Sequence, residues 1–458
     1  MSETQITRAR VGRAWFTLFT LAWIVLWTAQ LTPLQLLLPL QLDTPDSASG
    51  WVRGVVSSGI VLGVGGLAGV FAGPVAGALS DRQSGSRPKR RPWALAGVWV
   101  AAACLLCTGA STSALGIGAA WVGVCIGTAI ASAAFAAMIA DQLPPEQRGA
   151  ASSAASSAQA LGIVLGVGAV VLLGLSIAAG YVMLAIEVAV IGTLTSVLLP
   201  DPSGSAAGLR SEQGAVVPGA TVPFTTTPGA AARAPEGHRF GSIRDHDFRW
   251  VLIGRLVVNI GNALGTSLFL FFLLYGLGQE HAAAEDNLLI VVVVYTVFVV
   301  VASVAAGLVS DRLGRRRGLA LAATVVQALS GVLLVVSPTF GTTIVAAGVM
   351  GVGYGAFSTV GLAFATDVLP SERDHGRDLG LVNTAAALGQ LLGPVIGALL
   401  VALVGGFWLV FSVAAVLSVA GGALTVLARE RATATAATAI TAAAAVDPAA
   451  AAGGNTLD

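Results

Sequence analysis

Polar side chains recur at helical spacing within one long apolar stretch of the sequence. They occupy positions i, i+4, i+7 and i+11, which an α-helix places on one face: Arg255, Asn259, Asn262 and Thr266. Amides and hydroxyls form hydrogen bonds but perform no covalent chemistry alone. This face therefore predicts a binding surface for an uncharged, hydroxylated ligand. Hydrogen bonding between helices, worth about 0.6 kcal/mol per bond, is the alternative.

Two ionisable side chains lie inside apolar stretches. Arg255 stands about 10 Å from the start of its stretch, where it either binds a ligand, acts as a gate or extends its charge to the surface. Glu187 is the one acid near the middle of a stretch. An ionised carboxylate at that depth costs at least ~2.5 kcal/mol, so we expect the protonated form. Glu187 is therefore a candidate proton carrier, with a hydrogen-bonded structural acid as the alternative.

Enzymatic catalysis is not indicated by the sequence. It contains no nucleotide-binding loop, no ligand spacing typical of a metal site and no nucleophile arrangement. The histidines all fall in predicted loops: His238, His246, His281 and His375. A net charge of +1 gives no reason to expect a nucleic-acid partner. We predict neither an enzyme nor a bound metal or organic cofactor, and no use of ATP.

The composition is typical of a membrane protein. Of the 458 residues, 55% are hydrophobic and only 10% are charged, and the mean hydropathy is +0.84. Apolar stretches of about 20 residues recur, each long enough to cross a hydrocarbon core ~30 Å thick as a helix. We predict twelve spans, near residues 14–41, 51–79, 93–110, 114–139, 150–174, 177–199, 248–276, 287–309, 318–337, 341–366, 379–402 and 405–428.

The pattern divides the chain into four segments. Residues 1–199 and 248–430 are each predicted to form a six-helix bundle of an all-α membrane protein. The segment between them, 200–247, is rich in Pro, Gly, Ser and Thr, and we expect a largely disordered cytoplasmic linker. The Ala- and Thr-rich tail, 431–458, is expected to be disordered as well.

Charged residues are distributed unequally between the two sides of the predicted membrane. Basic clusters precede span 1 and connect spans 2 and 3 and spans 8 and 9, whereas loops on the opposite side carry acids such as Asp43 and Glu280. The positive-inside rule places the basic side in the cytoplasm. We therefore expect a multi-pass protein of the cell membrane with both termini cytoplasmic, and the even number of spans agrees, because it returns the chain to the side on which it began.

Two loop signatures occur twice, in the same order. Gly-x-x-Ser-Asp-Arg followed by a basic cluster lies at 77–82 and recurs at 307–312, which is 230 residues later. Asp-x-Leu-Pro-x-Glu lies at 141–146 and recurs at 367–372, which is 226 residues later. The sequence therefore predicts a duplicated six-helix unit with parallel halves, an arrangement in which a binding site forms between the halves near mid-membrane.

The repeated loops carry a family resemblance. The segment 77–82 with its basic cluster resembles the signature loop of the major facilitator superfamily, and its recurrence extends the resemblance over nearly the whole chain. The longer stretch from Gly73-Pro74 to Pro92-Trp93 is similar to sugar–cation symporters of the glycoside and sucrose type. The resemblance implies two pseudo-symmetric bundles that move a small-molecule solute by alternating access. We expect a monomer in the lipid bilayer that uses the proton motive force.

The resemblance also implies a conformational latch at the cytoplasmic side. In this family the loop Asp lies near the start of span 11, and the loop Arg bridges to an acid at the end of span 4. The second half repeats this set, so the predicted latch residues are Asp81, Arg82, Asp141, Asp311, Arg312 and Asp367. The alternative is that these charges only fix the orientation of the helices.

Binding sites in this family are lined mainly by spans 1, 4, 7 and 10. With that guide, the predicted substrate-cavity residues are Trp27, Gln30, Trp121, Ser132, Arg255, Asn259, Asn262 and Tyr354. Three functions remain open. The leading one is proton-coupled uptake of a small neutral solute such as a sugar or glycoside. The others are proton-driven efflux of a hydrophobic, drug-like compound and a receptor that binds without transport.

Overall fold

The computed structural model describes residues 10–43, 50–82, 90–200, 245–313, 316–368 and 375–428. Within these ranges, eleven helices are long and apolar enough to cross a membrane, and a bent pair supplies the twelfth span. The predicted all-α, twelve-span fold is therefore confirmed. The predicted linker lies outside the described residues except at its two ends, and the predicted tail lies outside them entirely.

The twelve spans follow one another with short connections. In chain order they are α1 (Arg13–Leu42), α2 (Gly50–Arg82), α3 (Arg91–Ala110), α4 (Ala114–Gln142), α5 (Pro145–Leu172), α6 (Ile177–Leu198), α7 (His246–Ser267 with Phe269–Gly276), α8 (His281–Leu313), α9 (Arg316–Val336), α10 (Phe340–Asp367), α11 (His375–Val404) and α12 (Trp408–Val426). Because lipid offers no partners for backbone polar groups, every span is helical.

Three spans depart from regular α-helix. In α1 the segment Pro33–Leu37 is π-helical, since Pro33 lacks the N–H that an α-helical bond requires. In α6 the π-helical segment is Val188–Gly192. In α7 the two parts meet at a 42° bend, and the second part includes the π-helical segment Phe272–Gly276. The irregular parts of α1 and α7 lie toward the same side of the membrane.

The helices pack as two groups of six. In the first group, α4 packs on α2 and α3, and α5 packs on α1; in the second, α10 packs on α8 and α9, and α7 packs on α11 and α12. The groups meet mainly where α2 packs on α11, and also where α5 packs on α8. Exchanging the halves converts one of these contacts into the other, which is the symmetry expected of a duplicated unit.

The halves approach one another closely toward the far side of the membrane. The basic side carries the start of α1 and the ends of α2 and α8, and the far side carries Asp43 and Tyr275. Toward the far side, a Cβ atom at Gly59 would collide with Pro394 and Ala398 of α11. Cβ atoms at Gly63 and Gly66 would likewise collide with side chains of α11, so the described contacts between α2 and α11 run from the far side to mid-membrane. This boundary between the halves is here called the cleft.

Large apolar side chains cover the outer surface of the bundle. Leu115, Leu172 and Val336 are 85%, 78% and 77% exposed. A water-soluble monomer rarely exposes so much contiguous apolar surface, whereas hydrocarbon chains accept it without cost. The outer surface thus agrees with the membrane location that the hydropathy of the spans indicates.

Candidate binding cavity

Four helices of the second half are joined by hydrogen bonds around α7. Tyr354 of α10 donates to Oδ1 of Asn259 at 3.0 Å, and Tyr295 of α8 donates to Oδ1 of Asn262 at 3.2 Å. The exposed amide of Gln390 on α11 donates to the Tyr354 oxygen at 3.4 Å. These five side chains, here called the polar wall, connect α7, α8, α10 and α11 at mid-membrane depth.

Glycine on α11 explains why the polar wall can form. A Cβ atom at Gly389 would lie 2.5 Å from Cβ of Asn259 and 2.9 Å from the carbonyl oxygen of Leu256. Such contacts are too short for any larger residue, so α11 approaches α7 closely only because this position is glycine. The approach brings the adjacent Gln390 within reach of Tyr354.

Arg255 lies one helical turn from Asn259, on the basic-side flank of the polar wall. Only 9% of the residue is exposed, and its Nε and Nη1 atoms are enclosed without a hydrogen-bond partner among the described residues. Its carbonyl oxygen accepts a bond from Nδ2 of Asn259 at 2.8 Å. Its Nη1 would lie 3.7 Å from a Cβ atom at Gly361 of α10. The guanidinium group thus lies inside the protein, beside α10.

The first half contributes an aromatic stripe on α1. Trp23 and Trp27 have ring centroids 6.3 Å apart, and the indole Nε1 atoms of both are enclosed without a partner in the described part of the chain. Gln30 follows on the same helix and is half-buried. The far-side end of α1 touches α7, so α1 is one of the first-half helices at the boundary between the halves.

The predicted cavity residues of α4 have other surroundings. Trp121 is 1% exposed, and its indole lies against Gly65 of α2, where a Cβ atom would be 2.6 Å from Nε1. The structure therefore places Trp121 between two helices of its own half. Ser132, three turns further along α4, is half-buried. Helical spacing identified a common face but not the neighbour that covers it.

A buried carboxylate joins the two halves at the far side. The side chain of Asp43, at the end of α1, is 2% exposed. The hydroxyl of Tyr275, at the end of α7, donates to it at 2.7 Å and 2.6 Å from the two carboxylate oxygens. Nε2 of His281, at the start of α8, lies 3.3 Å away. This group, the far-side gate, was missed in the sequence, where Asp43 is only one acid of an outer loop.

Aromatic stacking extends the far-side gate. The ring of Trp51, at the start of α2, stacks on Tyr275 with centroids 5.2 Å apart and on Phe407 with centroids 5.7 Å apart. Aromatic pairs in this geometry contribute about 0.5–1.5 kcal/mol each beyond the area they bury. The stack therefore supplements the hydrogen bonds of Asp43 in holding the halves together at this side.

On the basic side, one arginine in each half binds the acid at the end of a neighbouring helix. Nε of Arg90 lies 2.8 Å from Asp141, at the end of α4, and Nη1 of Arg90 donates to Ser80 at 2.6 Å. Nη1 of Arg316 lies 2.6 Å from Asp367, at the end of α10. The arginines and the acids are each 226 positions apart, from 90 to 316 and from 141 to 367, so the two pairs are equivalent.

The next residue in each half is a second arginine that caps another helix. Nη2 of Arg91 donates to the carbonyl oxygens of Val197 and Leu199 at the end of α6, at 2.7 Å and 3.3 Å. Nη2 of Arg317 donates to the carbonyl oxygen of Val426 at the end of α12. Cations at helix C-termini satisfy free carbonyl groups and oppose the helix dipole. The basic clusters therefore have defined structural partners.

The predicted latch residues are only partly visible. Asp141 and Asp367 both bind arginine, Arg90 and Arg316 respectively, and the latch that the loop signature predicts stays a prediction. Arg312 is exposed, and Asp311 lies 3.8 Å from Arg316. The side chains of Asp81 and Arg82 lie outside the described residues. The 226-residue offset of the second signature could have identified the arginines, because it aligns position 90 with position 316.

Glu187 lies away from the polar wall. It occupies the end of the first α-helical part of α6, directly before the π-helical segment Val188–Gly192, and is half-buried. This part of α6 packs on α1 and α3 of the same half. Across the described part of the chain, no three acidic, histidine or cysteine side chains are grouped as a metal site requires.

Comparison with sequence families agrees with this architecture. The model of the Major Facilitator Superfamily matches residues 3–166, 86–283 and 255–451. The chain is 29% identical over 147 residues to the "Multidrug resistance protein Stp" of Mycobacterium tuberculosis, a stretch covering 30% of this chain and 27% of that protein. It is 36% identical over 110 residues to a "Probable 4-methylmuconolactone transporter" of Cupriavidus pinatubonensis, covering 23% and 25%. The alignments thus span about a quarter of either relative.

Solved structures share the fold over most of the chain. The nucleoside transporter NupG gives a TM-score of 0.68 at 13% identity, covering 90% of this chain and 99% of that one. A D-xylose–proton symporter gives 0.63 at 14% identity, with coverage of 90% and 96%. A bacterial homolog to the human lysosomal transporter Spinster, in an inward-facing and occupied conformation, gives 0.65 at 14% identity, also covering 90% and 96%. At such low identity these likenesses concern the fold alone.

Proposed function

The chain belongs to the Major Facilitator Superfamily and is a membrane transporter, and we propose that it takes up a small hydroxylated solute, such as a sugar or glycoside, together with protons. In this proposal residues 1–199 and 248–430 are the two moving bodies, and residues 200–247 connect them. The protein works as a monomer in the cell membrane with both termini in the cytoplasm. The positive-inside distribution of its loops supports that orientation.

The observation that carries the proposal is the far-side gate, which joins the two halves through Asp43 and Tyr275. A contact of this kind between the halves closes the far side of the site, and with the basic side in the cytoplasm the far side is the outer one. Alternating access requires a second conformation in which the gate opens and the basic side closes around the same mid-membrane site.

The side chains of the cleft support a polar solute. Phenols and amides of the polar wall exchange hydrogen bonds readily with hydroxyl groups. The indoles of Trp23 and Trp27 have flat apolar faces, and their enclosed N–H groups have no hydrogen-bond partner among the described residues. A ligand with a ring of hydroxyl groups presents both of the matching surfaces, an apolar face and a polar edge.

Glu187 is the group we propose as carrier of the coupled proton. Of the described acids it lies deepest in a span, well away from both Ile177 and Leu198, the two ends of α6. A carboxyl group held at this depth is stable when protonated and can release its proton when water reaches it. Its distance from the polar wall means that coupling would act through the movement of α6 against α1 and α3.

The proposal is tested in proteoliposomes with a panel of sugars and glycosides. Their addition to the outside should alkalinise the medium when the right solute enters with a proton. Glu187→Gln should abolish the alkalinisation while the protein still binds the solute. Alkalinisation that persists in the variant would show that Glu187 does not carry the coupled proton. If folded wild-type protein gives no pH change with any compound of the panel, proton-coupled sugar uptake is contradicted.

Efflux of a hydrophobic compound is the second candidate. The observation in its favour is the similarity to the multidrug resistance protein over 147 residues. The same vesicles distinguish the two directions. An exporter that exchanges solute for protons would acidify the outer medium as solute enters right-side-out vesicles in reverse, whereas a symporter alkalinises it. The sign of the pH change therefore decides between them.

A further inference from the structure

Arg255 is a buried cation without a counter-ion among the residues that the structure describes. Its Nε and Nη1 atoms are enclosed and have no hydrogen-bond partner there, and 9% of the residue is exposed. We infer that Arg255 forms a subsite for an anionic group, carboxylate or phosphate, on the transported solute. The inference rests on the proposed transport function in one respect, because it assumes that the solute passes through the cleft.

Described acids on the helices around Arg255 lie too far away or are already bound. On α7 itself, Asp247 precedes it by eight residues, which is about 12 Å along the axis. On α10, Asp367 stands six residues beyond Gly361, the position facing Nη1, and it binds Arg316 at 2.6 Å. On α8, Asp311 lies at the basic-side end and is exposed.

The side chain does not extend to the surface. An arginine that does so keeps its stem in the apolar region and its guanidinium in water. Here two of the three guanidinium nitrogens, Nε and Nη1, are inaccessible. A desolvated, unpaired cation destabilises a protein. Such a cost is retained at a site where a ligand supplies the missing charge, because the binding anion then meets a donor that has already lost its water.

The polar wall beside Arg255 is arranged to leave donors free. The tyrosine hydroxyls donate to the Oδ1 atoms of Asn259 and Asn262, so each amide oxygen already accepts one bond. The Nδ2 atom of Asn259 is used by the carbonyl oxygen of Arg255, while Nε and Nη1 of the guanidinium have no partner among the described residues. The guanidinium therefore brings positive charge to the side of the cleft formed by α7, and Nη2 is the guanidinium nitrogen that is not among the enclosed atoms without a partner. Such a group suits the oxygens of an anion.

This subsite revises the charge expected for the solute. The amides of α7 alone predict an uncharged ligand, but a hydroxylated acid, such as a sugar acid or sugar phosphate, fits both the amides and Arg255. The planar guanidinium can bind two oxygens of one carboxylate or phosphate at once. A neutral solute would leave this buried cation without an anionic partner among the described residues.

A first test needs no ligand. In detergent-solubilised full-length protein, Arg255→Gln should raise the melting temperature, because it removes a buried charge that has no partner among the described residues. The matched control is Arg316→Gln, which removes a charge that binds Asp367 and should lower it. A lower melting temperature for both Arg255→Gln and the milder Arg255→Lys would mean that the guanidinium has a structural partner, and would overturn the inference.

A second test uses matched acids and neutral compounds. Thermal stabilisation is measured with glucose, glucuronate and glucose 6-phosphate, and with benzamide and benzoate, for the wild type and for Arg255→Gln. We expect an acid to bind the wild type on the order of 100-fold more tightly than its neutral partner, with the preference lost in the variant. Comparing the binding of glucuronate with that of benzoate shows whether hydroxyl groups are needed. Comparing glucuronate with glucose 6-phosphate shows whether the subsite prefers a carboxylate or a phosphate.

The results that would contradict the anionic subsite differ from those that would contradict the proposed function. Equal binding of acids and neutral compounds, an acid preference that persists in Arg255→Gln, or no binding of any acid at about 10 mM, a concentration that detects even weak ligands, would each overturn the anionic subsite. Proton-coupled uptake of a neutral sugar in vesicles would at the same time leave the proposed function intact. Conversely, Arg255-dependent binding of acids without any proton-coupled transport would keep the subsite and reject the function.

Discussion

The hydroxyl of Tyr275 lies 2.7 Å and 2.6 Å from the two carboxylate oxygens of Asp43, across the boundary between the two halves of the protein. The residues are 232 positions apart in the chain. Asp43 ends α1 and Tyr275 lies in the π-helical end of α7, so the contact ties together two helices that are both irregular near this side. Together with His281 and the stack on Trp51, this bond holds the two halves together at the far side.

Tyr275→Phe should loosen the far-side gate. Loss of the hydroxyl leaves a buried carboxylate without its donor, which costs the closed form about 1–3 kcal/mol. That cost shifts the balance toward the far-side-open form by roughly 5- to 150-fold. The measurement is the labelling rate of Gln30→Cys by a membrane-impermeant thiol reagent added from the far side, in protein whose native cysteines are replaced.

The matched control is Tyr181→Phe. The hydroxyl of Tyr181 is buried in α6 without a hydrogen-bond partner in the described part of the chain, so its removal breaks no bond there. The control should label like the parent protein. Equal labelling rates for Tyr275→Phe and the parent would show that the bond to Asp43 does not hold the gate.

Arg90→Gln should destabilise the first half more than Asp141→Asn does. Arg90 donates to both Asp141 and Ser80, and losing hydrogen bonds to a charged group costs about 1.5–3 kcal/mol. The side chain of Asp141 is 45% exposed and asparagine still accepts a bond, so its replacement should cost no more than about 1 kcal/mol. Melting temperatures in detergent compare the two. A larger loss for Asp141→Asn would contradict the assigned roles.

Asp81→Asn tests whether the repeated loop is a latch. The exchange removes a negative charge and leaves the arginines that orient the helices. If the loop acts as a latch between the halves, transport should fall by roughly tenfold or more, as loss of ~1.4 kcal/mol of coupling implies, while the melting temperature stays the same. Asp311→Asn should behave similarly, because it is the equivalent position of the second half. Normal transport by both variants would leave these loops with a role in orientation only.

Gly97→Ala should destabilise the contact between α3 and α4. A Cβ atom there would lie 2.5 Å from the backbone nitrogen of Ala131 and 2.6 Å from the carbonyl oxygen of Gly127. Backbone atoms cannot move aside without straining both helices, so we expect the free energy of unfolding to fall by about 1–3 kcal/mol. Gly318→Ala is the control, since a Cβ atom there meets nothing within 4 Å and alanine favours helix by about 1 kcal/mol. Equal melting temperatures would contradict the close packing.

The sequence predicted the fold because the bilayer restricts it. Length and apolarity identify each span, and the predicted limits lie within a few residues of most helix ends, as for 114–139 against Ala114–Gln142. The helical spacing of Asn259 and Asn262 likewise predicted that both lie on one face of α7. Local periodicity carries this information, because a helix satisfies its own backbone.

Contacts between distant helices were not predictable in the same way. Periodicity grouped Trp121 with a face of α4 but could not show that Gly65 of α2 covers it. The bond from Tyr275 to Asp43 depends on how two irregular helices converge, and only Pro33 indicates an irregularity in the sequence. The bond from Arg90 to Asp141 also joins residues 51 positions apart, and only the internal repeat, which places Arg90 opposite Arg316, points to it in the sequence.

The central claim is that the solute crosses because the far side opens and closes. The most direct measurement is solute-driven proton uptake in vesicles containing the double variant Gly168→Cys and Leu289→Cys, in a background without native cysteines. A Cβ atom at Gly168 would lie 3.7 Å from the Leu289 side chain, so the pair bridges α5 and α8 across the halves. Cross-linking should stop uptake, and reduction should restore it. Uptake that continues in fully cross-linked protein would contradict alternating access through this gate.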